Sequence, residues 1–199
     1  MPEESRDECL LARARRGDEA ALLALYERHH AAIFRFAFRL LDSRAPAEDV
    51  VHDCFIDLVR EPAPGSADFD PARGTLRGYL YGMARHRAHR VFRRAAREQE
   101  LDEAEGEGRA DESCGPLARV LGEELGAVVR SAIRSLPEAQ RESLILFEYE
   151  ELPLAEIALI VGADVNAVKA RLWRARQSLK KTLAPYLSPR GTRALALKD

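Results

Sequence analysis

The chain has 199 residues, with 31 lysines and arginines against 33 aspartates and glutamates, and is 46% hydrophobic and 32% charged. That is an ordinary soluble composition for one large or two small domains, and it excludes a membrane-spanning protein, because no run nears the ~18 uncharged apolar residues of a span. Three widely spaced cysteines (Cys9, Cys54, Cys114) exclude a disulfide framework, and the acidic start Met1-Pro2-Glu3-Glu4 has no apolar run behind it, so a cytoplasmic protein is expected.

Helical periodicity runs along the chain. Leu22, Leu25, Tyr26, Ile33, Phe36 and Leu40 fall near one helical face. Ala47, Val50, Val51, Cys54, Phe55 and Leu58 repeat the pattern, with Pro46 suited to the first turn. Glu61-Pro62-Ala63-Pro64-Gly65-Ser66 then opens a loop. Thr75 is placed to cap a third helix carrying Leu76, Tyr79, Leu80 and Met83. That helix continues into a basic block: Arg73, Arg77, Arg85, Arg87, Arg90, Arg93, Arg94 and Arg97, with two histidines and no acid.

From Glu98 to Glu124 the balance reverses, with ten acids against two arginines. Residues 98–115 are acidic and contain three glycines, which reads as a flexible linker. Leu117, Val120, Leu121, Leu125, Val128, Val129 and Ala132 restart a helical pattern, and Ser135-Leu136-Pro137-Glu138 has the form of a capping box. No β alternation of useful length is present. The expected fold is all-α, with two small helical domains joined by a flexible acidic linker. The expected boundaries are 1–97, a linker at 98–122, a second domain at 123–185 and a tail at 186–199.

The second domain carries the sharpest pattern. Leu154, Ile157, Ala158 and Val161 share a face, Gly162 ends that helix and Asp164 caps the next. The following helix buries Val168, Leu172, Ala175 and Leu179 and turns Lys169, Arg171, Arg174 and Arg176 outward. Asn166, Lys169, Ala170 and Trp173 share its outer face. This is a helix-turn-helix with a basic second helix, the arrangement that enters a major groove. Two acid-free basic blocks separated by an acidic stretch suit two contact points on a polyanion. No nucleophile–base arrangement, phosphate loop or metal constellation is legible, and His86-x-x-His89 lacks a third ligand, so no enzyme, metal or cofactor is expected.

Three segments, in this order, resemble sigma factors of RNA polymerase, the extracytoplasmic-function group of the sigma-70 family. They are Ala47-Glu48-Asp49-Val50-Val51-His52-Asp53-Cys54-Phe55, the stretch from Phe69-Asp70-Pro71 to Arg94, and Glu156-Ile157-Ala158 through Arg176. The resemblance implies that the first binds the clamp coiled coil of core RNA polymerase, through Glu48, Asp49, Asp53, Phe55 and Asp57. It implies that the second meets the minus-ten promoter element, through Arg73, Arg77, Tyr79, Arg85, His86, Arg90, Arg93 and Arg94. Tyr79 and Tyr81, with the Phe69–Gly74 loop, would stabilise unstacked bases. The third would read the minus-thirty-five element through Asn166, Lys169, Ala170, Arg171, Trp173, Arg174 and Arg176.

The family often has Trp at Tyr79, Asn at His86 and Asp at Arg90, and it prefers Gly-Thr at Asn166-Ala167 and Ser at Ala170. These departures bear on the promoter sequence rather than the role, and His86 and Arg90 are expected to add positive charge. The expected partners are core RNA polymerase and promoter DNA, and the resemblance admits an anti-sigma factor. A stand-alone helix-turn-helix regulator is the main alternative, but it leaves the N-terminal motifs unexplained. A purely protein-binding helical protein is a second. The acidic stretch Glu98–Glu112 is expected to fold back on a basic block and restrain DNA binding in the free protein.

Overall fold

A computed structural model of the chain describes residues 3–60, 68–101 and 118–187. Among these there are eight helices and no strand: α1 (Glu3–Ala14), α2 (Glu19–Leu41), α3 (Arg44–Val59), α4 (Leu76–Leu101), α5 (Ala118–Arg134), α6 (Glu138–Glu148), α7 (Leu154–Val161) and α8 (Val165–Leu187). None is long and apolar enough to cross a membrane. Residues 102–117, the centre of the expected linker, lie outside the described residues. The helices on either side reach further into the expected linker than its 98–122 boundaries, to Leu101 and from Ala118.

The N-terminal half is built on α2, which packs against α1, α3 and α4. Leu25, Ile33, Phe36, Ala37 and Leu40 line its buried face, while Leu22 is half-buried and Tyr26 lies at the surface. Asp18 begins α2 by accepting a hydrogen bond from the Ala21 N–H at 3.1 Å. That backbone donor, with Arg13 beside it, holds the Asp18 carboxyl below the usual carboxylate range. From α3, Val50, Val51, Cys54, Phe55 and Leu58 face the same core. From α4, Leu76, Leu80, Ala84 and Ala88, four apart, bring an apolar stripe down onto it together with Tyr81. Each fully buried Leu, Ile or Phe here contributes about 1.5–3 kcal/mol.

The expected Thr75 cap is present: its hydroxyl oxygen accepts from the Gly78 N–H at 3.0 Å. The Ser135–Glu138 capping box is not. Ser135 Oγ instead donates to the Ala132 carbonyl at 2.8 Å, closing α5, and α6 starts after Pro137 with no side-chain cap. In the C-terminal half, Gly162 sits at φ 63, a left-handed turn that glycine adopts without a Cβ penalty. Asp164 Oδ1 accepts from the Ala167 N–H at 2.9 Å and caps α8. Ile157, Ala158, Val161, Val168, Leu172 and Ala175 close the helix-turn-helix core.

The two helical domains also meet one another within the described residues. The α7 helix packs on α4 and α6 on α2, and the buried apolar residues form one continuous cluster.

One polar staple holds α1 onto α2. Buried Asp7 accepts from His29 Nε2 at 2.8 Å and pairs with Arg28. Burial pulls the His29 pKa below its ordinary 6.5, against the opposing pull of Asp7. A depressed histidine favours its neutral form in the folded state, so its contribution is present above 6.5 and is lost as pH falls through the folded value. Replacing His29 with Gln is expected to cost about 1–3 kcal/mol in urea denaturation above that pH. The gap to the native protein narrows on acidification; a gap that widened would show that the ring is charged when folded.

Candidate nucleic-acid interface

The α8 surface comes first, because its geometry follows from the turn that starts it. With Val168, Leu172 and Ala175 turned inward, the opposite face carries Asn166, Lys169, Trp173, Arg174 and Arg176, all exposed, while Ala170 and Arg171 are half-buried. Trp173 is 64% exposed, as the helical wheel places it. Arg176 is held by Glu148 of α6, with Nη2 at 2.6 Å and Nε at 3.0 Å from Oε1, and its guanidinium lies 5.2 Å from the Phe147 ring. Lys169 and Arg174 project outward, where a cationic helix meets phosphates.

The second basic block divides in two. Arg73, Arg90, Arg93 and Arg94 are exposed. Arg77 and Arg85 point toward the C-terminal half. Arg85 Nε donates to Glu142 at 2.9 Å, and Arg77 Nη2 donates to the Glu150 carbonyl at 2.9 Å. Tyr79 is half-buried, its ring 5.7 Å from Phe69. Tyr81 is not available to a base. It is fully buried, edge-on to Phe36 at 5.2 Å, and its hydroxyl donates to Glu150 at 2.7 Å. Burial pushes its phenol well above the ordinary value.

The loop before α4 is fixed by Arg15, just after α1, whose two terminal nitrogens lie 2.9 and 2.5 Å from the Asp68 oxygens; that pairing lowers the Asp68 pKa. Phe69, Arg73, Tyr79 and His86 line a cleft of about 430 Å³ closed on its far side by Glu156 and Leu159 of α7. His86 keeps an exposed edge at this cleft. Burial, then the charges of Arg85 and His89, depress its pKa and favour the neutral ring.

The third surface is α3. Glu48, Asp49, Asp53 and Asp57 are exposed along one side. Glu48 pairs with Arg44 at 2.8 Å, one turn away. Asp53 and Asp57 both bind Arg87 of α4, Asp53 at 2.7 Å, so they also hold α3 to α4. Phe55 is 5% exposed and meets the Tyr26 ring edge at 4.9 Å, so it shapes this surface from beneath rather than standing on it. A groove of about 670 Å³, lined by Tyr26, His30, Phe34, Arg44, Glu48 and Asp49, runs between α2 and α3.

Sequence reasoning did not find Glu142, Glu150 and Glu156, the acids that meet α4. The one signal for Glu142 is its place just before the apolar run Leu144-Ile145-Leu146. His89, Glu138 and Glu142 bring three potential metal-ligating atoms within 4.8 Å of one another. Glu142 is already neutralised by Arg85, and the His89 nitrogens face the two carboxylates separately, so the cluster is an ion-pair network.

Comparison with known proteins gives a consistent picture. Residues 25–98 match the model of Sigma-70 region 2, and residues 127–179 that of Sigma-70, region 4. The RNA polymerase sigma-H factor of Pseudomonas aeruginosa is 30% identical over 195 residues, covering 94% of this chain and 98% of that one. The ECF RNA polymerase sigma-E factor of Escherichia coli is 29% identical over 197 residues, covering 94% and 99%. Among solved structures, CnrH in complex with the cytosolic domain of CnrY aligns with a TM-score of 0.64 at 27% identity, covering 90% of this chain and 97% of that one. The sigma factor RpoE of Bartonella quintana, in complex with the anti-sigma factor NepR, aligns with a TM-score of 0.58 at 25% identity, covering 78% and 91%.

Beneath the α3 surface lies Cys54, 0% exposed. Burial pushes its thiol up to about 12, against the pull of Arg87. Iodoacetamide at mildly alkaline pH is therefore expected to label exposed Cys9 and leave Cys54 unmodified until the chain is denatured, as read by peptide mass spectrometry. Equal labelling of the two in the native protein would mean that the α3–α4 core opens readily.

Proposed function

The chain belongs to the sigma-70 family of RNA polymerase sigma factors, in its extracytoplasmic-function group, and we propose the following division of labour between its two halves. It is a promoter-directing factor of transcription initiation, not a stand-alone regulator, because the family match covers residues 25–98 as well as the helix-turn-helix. We assign residues 1–97 to polymerase and minus-ten binding and residues 123–185 to minus-thirty-five binding. The protein does no bond chemistry; it lends binding energy and geometry to the polymerase, and its place of work is the cytoplasm.

The observation that carries this reading is the exposed, acid-free outer face of α8 directly after the Gly162 turn, with an acidic α3 surface in the other half. Lys169 and Arg174 neutralise phosphates. Asn166, Ala170, Arg171, Trp173 and Arg176 lie where base edges and sugars pass. On α4 and the turn before it, Arg73, Arg77, Arg85, Arg90, Arg93 and Arg94 hold the separated strand, with Tyr79 and His86 beside it. Aromatic stacking is worth ~1–3 kcal/mol per base, which matches the few kcal/mol that unstacking costs. Glu48, Asp49, Asp53 and Asp57, over buried Phe55, meet basic residues of the polymerase clamp coiled coil. A solved relative is bound to an anti-sigma factor, which supports such a partner here.

Two measurements test the assignment. Glu48→Lys with Asp49→Lys is expected to abolish co-elution with core RNA polymerase on size exclusion while helix content is retained. These two are chosen because Asp53 and Asp57 also bind Arg87. Undiminished co-elution would remove α3 from the polymerase contact. Lys169→Ala with Arg174→Ala is expected to weaken duplex binding across all sequences and to lower the salt slope by about two. An unchanged slope would mean that neither side chain reaches a phosphate.

A further inference from the structure

Glu148 is the last residue of α6, and its side chain is 44% exposed. An acid there works against its own helix, because the carbonyl end of the helix dipole repels negative charge. Its partner is Arg176, 28 residues further on, in α8. A pair this open to water adds little stability, so energy alone does not account for it. What it fixes is geometry. Arg176 Nε at 3.0 Å and Nη2 at 2.6 Å both donate to Oε1 of Glu148, so one edge of the guanidinium is taken. The Phe147 ring, 5.2 Å away, covers one of its faces.

The outer end of the fork is left over. Nη1 and the second N–H of Nη2 form a parallel pair of donors, and among the described residues no acid occupies them. That pair suits the O6 and N7 acceptors of guanine, which arginine reads bidentately. Arg176 also lies in line with the exposed face of α8: Lys169, Trp173 and Arg176 follow one another at spacings of four and three, a single helical stripe. Among the described residues no acid clamps Lys169 or Arg174. A long, free cation follows the nearest phosphate and carries no sequence information. A clamped fork cannot turn, so its acceptor must come to a fixed place.

We propose that Glu148 is a specificity-determining positioning residue: by holding the inner edge of Arg176, it presents the outer end of the fork to one guanine of the duplex. This rests on the assignment of α8 to duplex DNA. Glu148 touches no base itself and acts through Arg176. Its negative charge, close to the helix that meets the phosphates, weakens binding to every sequence alike. What it returns is a difference between sequences, because a fork held in one place rewards guanine and leaves its donors unmet against any other base.

The test uses the full chain, native and as Glu148→Ala, Glu148→Gln and Arg176→Lys. The native chain first selects from a pool of randomised duplexes. Fluorescence anisotropy then reads affinity for the selected duplex, for its single-base-pair replacements and for unselected duplex. The expected result is one G·C pair whose replacement costs the native chain about tenfold. Arg176→Lys keeps the charge but lacks the fork, and it loses that preference, as does Glu148→Ala. Glu148→Ala binds unselected duplex at least as tightly as the native chain. Glu148→Gln keeps an acceptor oxygen and retains part of the preference; it carries the test if the alanine variant loses helix content. Uniform weakening of Glu148→Ala on all duplexes, with the preference intact, makes the pair merely structural and overturns the proposal while leaving α8 on DNA. A preference that survives Arg176→Lys overturns the guanine contact. A native chain that selects no sequence, and whose binding is unchanged by Lys169→Ala with Arg174→Ala, overturns the α8 assignment and the proposal with it.

Discussion

No acid lies in α4 from Leu76 to Arg97, and Arg85 and Arg87 take their counter-charges from other elements. The described structure is arranged around that constraint. Arg87 turns to α3 and is neutralised by Asp53 and Asp57, and this locks the third helix of the N-terminal half in place. Arg85 and His89 turn the other way and are met by Glu142, and Arg77 reaches the Glu150 carbonyl. Along its remaining face, Leu80, Tyr81, Ala84 and Ala88 are fully buried. One helix is therefore a core element, a tertiary ion-pair partner and a cationic surface, according to which face is considered.

Neutralisation by Asp53 and Asp57 differs physically from neutralisation by Glu142. The aspartates are 56% and 44% exposed at the side chain, so water already screens them and the Arg87 pairing is worth little as energy, though it fixes geometry. Glu142 has given up its hydration, so removing its partners alone would be strongly unfavourable, and a competing anion must displace the whole carboxylate-bearing helix.

The helices and the helix-turn-helix were legible because both rest on local rules: apolar spacing, the left-handed Gly162 and the Asp164 cap. Local rules also misled. Ser135 has the right spacing from Glu138, but its hydroxyl finishes α5 instead of starting α6. Tyr79 and Tyr81 are two residues apart on a helix, and the wheel alone did not say which one the core takes; Phe36 and Glu150 together take Tyr81. The partial burial that lowers the His86 pKa does not show in a linear sequence, although its neighbours Arg85 and His89 do. The glutamates facing α4 were illegible for the same reason. Glu142 lies 57 residues from Arg85 and Glu150 lies 69 from Tyr81, and no periodicity links such positions.

Trp173 is the chain's single tryptophan, and it stands two-thirds exposed on the outer face of α8. The protein therefore carries one built-in fluorophore on the very surface assigned to duplex DNA, remote in sequence from the tyrosines that report on α2 and α4. Its emission, excited selectively at the red edge, is a local optical signal of what touches the recognition helix. No dye or engineered label is needed to separate events at that helix from events in the N-terminal half.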